Sequence, residues 1–252
     1  MLEKLIDIKT DDGTMNAYTY SPDEKGPFPA VIYYHDAAGV REANADACRR
    51  IASCGYFVVM PNLYYRKLRY LDIDVDRFSD PAYGETADLM TSLNNSLTTT
   101  MVMHDTGRIL DTFNAYEKVR GGKVGLLGYC MSGRFVYRAA GVYHDRVAAA
   151  VAMYGNRMVT KEADSAHLIT KNITGEIYFG FAQHDVYFST DEAMEQIRGC
   201  FDGDGVHCRI ELYRGREHGF ALRGRRVYHK SSSERHWTRI FEMFGRNLQP
   251  YR

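Results

Sequence analysis

Hydrophobic and polar residues alternate along residues 3–20 on either side of Asp11-Asp12-Gly13. A period of two around a polar turn predicts an antiparallel hairpin with one face in water, placed at an edge of a sheet. From residue 30 onward the alternation stops. The runs 30–34, 56–60, 124–129, 147–154 and 176–182 are apolar almost throughout, as strands covered on both faces must be. A further strand is expected over 206–213. Between these runs apolar residues recur at helical spacing: up to about Cys54, where Gly55 stops the pattern; through Ile109, Leu110, Phe113, Tyr116 and Val119; from Cys130 to about Tyr143; over roughly 188–201; and through Trp237, Ile240, Phe241, Phe244 and Leu248. Ser231 and Glu234 have the spacing of a capping box for the last helix. Strand, helix, strand with short connections implies right-handed parallel crossovers. The expected fold is α/β: a mostly parallel twisted sheet, helices on both faces, and an N-terminal antiparallel hairpin.

Residues 64–100 break this rhythm. Tyr64, Tyr65, Tyr70 and Tyr83 are scattered among Arg66, Lys67, Arg69, Arg77 and many Asp, Ser, Thr and Asn residues. Long irregular excursions in α/β enzymes tend to be binding loops or lids, so a lid or binding insertion is expected here, with a plain surface excursion as the alternative. The rest of the 252 residues fits one domain, 1–252, because α/β folds of this length are commonly undivided.

Charge narrows the partners. Lys+Arg and Asp+Glu are both 32, which leaves no global field to attract nucleic acid or an anionic membrane, although the last quarter is locally rich in arginine. The first residues lack a signal-peptide core and no run has the length of a membrane span. Five cysteines, without zinc-type spacing, fit reduced thiols in a cytoplasmic protein.

One cysteine stands apart. Gly128-Tyr129-Cys130-Met131-Ser132-Gly133 follows the apolar run 124–127 and opens a helical pattern. A sharp strand-to-helix turn pushes a side chain out of the sheet, and only small neighbours permit the close backbone approach. The helix then begins beneath the sulfur, where free N–H groups and the positive dipole end favour a thiolate and the Met131 amide faces any oxyanion formed beside it. The spacing alone leaves open that Cys130 is a small core hydrophobe, as unpaired cysteines usually are.

Two further residues follow strands: Asp185 after 176–182 and His218 after 206–213. In a parallel sheet the C-terminal strand ends share one edge, so residues distant in sequence converge there. Taken singly, Asp185 could cap the next helix and His218 could be an ordinary histidine. Together, the order nucleophile, acid, base at three strand ends is a catalytic triad pattern. His35-Asp36 and His184-Asp185 lack the spacing of a metal site, so no metal and no cofactor is expected.

These residues resemble the dienelactone hydrolase (carboxymethylenebutenolidase) family of the α/β-hydrolase fold. The resemblance covers nearly the whole chain outside 64–100, carried by residues 30–39, 55–64, the Gly128-Tyr129-Cys130 elbow, the Asp185 turn and His218-Gly219-Phe220-Ala221. It implies Cys130 as nucleophile, His218 as base, Asp185 as its orienter, and the Ala37 and Met131 amides as an oxyanion hole. Asp36 stands where the family has a glutamate that helps deprotonate the thiol; it either acts as that auxiliary carboxylate or caps the following helix. Ser132 replaces a glycine. The family holds a substrate carboxylate with two arginines, one of them four positions after the histidine; here that position is Leu222, followed by Arg223. Arg77 in the insertion is the nominee for the other, and Tyr154 and Phe220 are further substrate-binding candidates.

The expected activity is hydrolysis of a small-molecule ester or lactone by acyl transfer to Cys130, in a monomer or homodimer. A carboxylesterase or thioesterase using the same triad, or a non-catalytic redox-responsive binding protein, are the alternatives.

Overall fold

The computed structural model describes residues 1–71, 73–77, 80–203 and 205–251. Among these residues eight strands form one sheet: β1 (Leu2–Thr10), β2 (Gly13–Ser21), β3 (Ala30–Tyr34), β4 (Phe57–Pro61), β5 (Val124–Tyr129), β6 (Val147–Met153), β7 (Glu176–His184) and β8 (Cys208–Glu217). Their spatial order is β1-β2-β4-β3-β5-β6-β7-β8. The pairs β1–β2 and β2–β4 are antiparallel and all others parallel. The hairpin thus extends a parallel sheet at one edge, as the alternating pattern predicts.

Among the described residues, six α-helices cover the sheet: α1 (Glu42–Ala52), α2 (Gly84–Ser96), α3 (Thr99–Asn114), α4 (Gly133–Val142), α5 (Thr190–Phe201) and α6 (Lys230–Leu248). Strand β3 shows why the central runs cannot alternate. Val31 and Tyr33 pack with Cys48 and Ile51 of α1 and Ile240 and Phe244 of α6 on one face. Ala30, Ile32 and Tyr34 pack with Ile109 of α3, Phe135 of α4 and Ile197 of α5 on the other. Every residue of β3 is buried, and each large side chain so placed contributes about 1.5–3 kcal/mol through lost apolar surface.

Three expectations about elements change. The second half of the 64–100 segment is helical: α2 occupies 84–96, and α3 starts at Thr99 with Thr98 Oγ1 accepting from the Met101 amide at 3.1 Å. Helix α3 ends at Asn114, so Tyr116 and Val119 lie beyond it; both are packed against the core from the connection to β5. The last helix is not started by a Ser231/Glu234 box. Its N-cap is His229, whose Nδ1 accepts from the Ser232 amide at 3.3 Å, while Glu234 pairs with Arg50. A ring nitrogen presents the same lone pair as a serine oxygen, and spacing rules for Ser and Glu do not register it.

Candidate active site

Cys130 lies at the junction of β5 and α4, first residue of a single 3-10 turn over Cys130–Ser132. Its φ of 54° is left-handed, a conformation that costs a residue with a Cβ energy and persists only where the surroundings impose it. The neighbouring glycines do so. A Cβ on Gly128 would lie 2.8 Å from Val136 Cγ2, and one on Gly133 would overlap Gly155 Cα at the end of β6. The sulfur faces a cavity of about 40 Å³ that is also lined by Asp36, Ala37, His218, Tyr154 and Arg225. A larger hollow of about 330 Å³, between the hairpin and residues 115–118, holds none of these groups.

The three strand-end residues come together. Asp185 follows β7, His218 follows β8, and His218 Nδ1 is 2.6 Å from Asp185 Oδ2. A carboxylate only accepts, so Nδ1 donates to Asp185 and Nε2 is the ring nitrogen left for chemistry. That Nε2 is buried, has no hydrogen-bond partner, and belongs to a ring lining the same cavity as Cys130. Asp185 Oδ1 accepts from the Tyr187 amide at 3.0 Å. This is a local turn: α5 begins later, at Thr190, so Asp185 does not cap it. The rings of Tyr154 and Tyr187 meet the imidazole edge-on at 4.8 and 4.6 Å between centroids and fix its plane. Burial pushes the imidazole toward neutrality, but negative charge on Cys130 and the bond to Asp185 outweigh it, and the pKa is raised to about 9.

Ala37, in the loop after β3, lines the cavity, and Met131 follows Cys130 in the elbow. Tyr64 Oη donates to Ala37 O at 2.8 Å and lies 3.4 Å from Met131 Sδ. Ser132 Oγ donates to His35 O at 2.5 Å, joining the elbow to the loop after β3. His35 Nε2 accepts from the Leu63 amide at 3.0 Å and its Nδ1 reaches Asp36 O at 2.7 Å. Loops after β3, β4 and β5 are therefore tied to one another behind the cavity.

Asp36 lies at the cavity but is engaged by Arg41, which donates to both carboxylate oxygens at 2.8 Å. Burial pushes the Asp36 carboxyl up, yet the Arg41 guanidinium holds it below its ordinary value. It does not cap α1, whose N-cap is Arg41 itself; its Oδ1 instead accepts from the Ala38 amide at 3.2 Å.

The proposed arginines do not reach the cavity. Arg77 pairs with Asp80 at 3.0 Å and stacks over Tyr83. Arg223 is exposed and faces Asp46 at 3.7 Å, beside a separate hollow near Trp237. Phe220 is fully buried behind Tyr154, with 5.7 Å between ring centroids, and lies in the core. Tyr154 does line the cavity, and its hydroxyl is buried without a hydrogen-bond partner.

Four residues at or near the site have no sequence signature. Arg225 lies along Gly219, whose φ is 91° and where a Cβ would sit 2.8 Å from Nη1; its Nε donates to Asp76 at 3.2 Å. The Arg-rich run 223–226 marks the segment but not which member turns inward. Asn156 Nδ2 is 3.9 Å from Cys130 Sγ. Met90 brings α2 to the cavity wall. Arg134, in the first turn of α4, is buried with Nε and Nη2 unpartnered; burial and then Arg157 lower its pKa to about 10. Among the described residues, no group of three or more His, Cys, Asp or Glu could hold a metal ion, and no helix is long and apolar enough to cross a membrane.

The chain is similar along most of its length to known proteins. It is 28% identical to a Methylorubrum extorquens protein named "Putative carboxymethylenebutenolidase", over 95% of this chain and 79% of that one. It is also 28% identical to an Escherichia coli protein of the same name, over 94% and 84%. Its fold matches that of the "Putative Dienelactone Hydrolase" of Klebsiella pneumoniae, with a TM-score of 0.82, 24% identity, and coverage of 97% and 98%. A family model described as "Dienelactone hydrolase family" matches residues 15–248. With the α/β-hydrolase sheet and that match in place, the chain belongs to the dienelactone hydrolase family and is a hydrolase of the ester and lactone class.

Proposed function

We propose that the protein hydrolyses a small-molecule ester or lactone through an acyl-enzyme on Cys130. The observation that carries this reading is the 2.6 Å contact of His218 Nδ1 with Asp185, which leaves Nε2 as the ring nitrogen for the cavity that Cys130 lines. The Cys130 sulfur, its proton passed to His218 Nε2, adds to the carbonyl carbon, and the oxygen, now negative, accepts from the Ala37 and Met131 amides. Each such donor is worth about 3 kcal/mol at the transition state. His218 gives its Nε2 proton to the departing alkoxide, then takes one from the water that attacks the thioester and frees the acid. Asp185 holds the imidazole in the tautomer both steps need.

The cavity supports an ester or lactone more than dienelactone itself. Leu222 and Arg223 stand where the family places its arginine after the histidine, and Arg223 faces away. Among the described residues, Arg225 is the arginine that lines this cavity. Residues 64–100 act as the lid, with Met90 of α2 in the cavity wall. The reaction needs no cofactor, and the five free thiols fit a cytoplasmic monomer or homodimer.

Cys130→Ala tests the reading. Turnover of p-nitrophenyl acetate should fall at least a thousandfold while the thermal midpoint stays near wild type. Retained turnover would remove Cys130 as nucleophile; a thiol that reacts readily in a wild-type protein showing no turnover would favour redox-responsive binding.

A further inference from the structure

Tyr64 has no place in the triad, yet its hydroxyl touches both segments that bear the oxyanion amides. The oxygen donates to the carbonyl of Ala37 at 2.8 Å and lies 3.4 Å from Met131 Sδ. Tyr64 is itself held. Its amide donates to Asn62 Oδ1 at 3.0 Å, Asn62 Nδ2 donates to Leu68 O at 2.7 Å, and the ring packs on His35 at 5.1 Å between centroids. A second tie runs in parallel: Ser132 Oγ donates to His35 O at 2.5 Å, and His35 is anchored by the Leu63 amide at 3.0 Å. The two ties join the loop after β3, which carries Ala37, to the elbow, which carries Met131. Both start from residues adjacent in the loop after β4 or from the elbow itself.

Geometry at this point matters more than bond strength. An oxyanion gains from two amides only if both lie within hydrogen-bond distance of one developing oxygen, and displacements well under 1 Å erode that gain. Ala37 and Met131 belong to different crossovers, and no backbone hydrogen bond between them is needed by the sheet. Something else must set their separation.

We propose that Tyr64, assisted by Ser132, is a positioning residue that sets the spacing of the Ala37 and Met131 amides around the oxyanion. This inference rests on the acyl-transfer reading above. It gives a use to a tyrosine whose ring is buried and whose hydroxyl is spent on a loop carbonyl and a thioether rather than on secondary structure. It also gives Ser132 a task that a glycine at that position cannot perform.

Tyr64→Phe keeps the ring and removes the tie made by its hydroxyl. The expected result on p-nitrophenyl acetate is a ten- to hundredfold fall in kcat with KM within twofold of wild type, because the amides matter in the transition state and little in the bound ground state. Inhibition by a simple aldehyde gives the second reading. Its carbonyl carbon bonds to the Cys130 sulfur, the carbonyl π pair passes to oxygen, and that oxygen occupies the hole; the inhibition constant should rise by the same factor as kcat/KM falls. Alkylation of Cys130 by iodoacetamide displaces iodide without forming an oxyanion, and its rate should stay within twofold. A tyrosine that merely supports the fold would lower alkylation and hydrolysis together. Should Tyr64→Phe not fold, Ser132→Ala carries the test, with a threefold or larger fall in kcat and the same unchanged alkylation. Wild-type kcat in the folded variant, or parallel loss of alkylation, overturns the inference. Cys130→Ala separates the two layers: if it retains turnover the acyl-transfer reading fails, whereas an inactive Cys130→Ala beside an undiminished Tyr64→Phe sinks only the positioning role.

Discussion

Asp185 binds His218 Nδ1 at 2.6 Å with one oxygen and the Tyr187 amide at 3.0 Å with the other, so the carboxylate cannot turn without breaking a bond. Asp185→Asn keeps the shape but offers an N–H donor that competes with Nδ1–H, which favours the tautomer with its proton on Nε2. A loss of kcat of about two to four orders of magnitude is expected, by analogy with triads of this type. Steady-state kinetics on an activated ester checks it; a loss under threefold would mean that Asp185 does not orient the base.

The pH dependence follows from His218. Its pKa is raised to about 9, against burial, by charge on Cys130 and by Asp185. A raised value means that the protonated imidazole, and the attraction it makes, persists through neutral pH and is lost as pH climbs through about 9. The kcat/KM profile for an ester with a poor leaving group should therefore decline above pH 9. In Cys130→Ser the sulfur's charge is gone, so the imidazole titration followed by NMR should move downward. No movement would show that the two side chains are not coupled.

Two other histidines work in the opposite direction. Burial lowers His35 to about 4 and His236 to about 3. His35 Nε2 accepts from Leu63 at 3.0 Å, and His236 Nε2 faces the Tyr129 hydroxyl at 3.0 Å. Both are neutral in the fold, whereas in the unfolded chain they protonate near pH 6.5. Their contribution is complete above that value and is lost as pH falls toward 4 and 3. At pH 5 the loss is about 2 kcal/mol for each. Urea unfolding between pH 7.5 and 5 should show this decline, and His236→Gln should make it shallower.

Arg134 is a buried cation for which, among the described residues, no hydrogen bond to a carboxylate exists and two donor atoms lie idle. An unpaired buried charge costs stability, and an apolar replacement removes the cost. Arg134→Met should raise the unfolding free energy by about 1 kcal/mol or more, read from denaturant midpoints at constant m. Destabilisation instead would mean that the guanidinium is serving a partner.

Period and order carried much of this structure. The unbroken apolar runs 30–34 and 124–129 could only be strands buried on both faces, and that placed Cys130, Asp185 and His218 at strand ends on one side. What escaped was set by contacts between segments. Whether Arg77, Arg223 or Arg225 faces the cavity depends on which carboxylate each meets: Asp80, Asp46 and Asp76 respectively. Asn156 reaches the sulfur only because β6 lies beside β5. Phe220, a substrate-binding candidate, lies instead in the core, the left-handed Gly219 turning the chain inward between it and His218.

Asp76 lies in the excursion between β4 and α2, and its carboxylate receives both Arg225 Nε and the Arg226 amide at 2.5 Å. The segment that resembles an appendage is thereby moored to the stretch of chain that follows the imidazole. Trimming it away to widen the mouth would cut that mooring and take from Arg225, a wall of the cavity, the carboxylate that holds it.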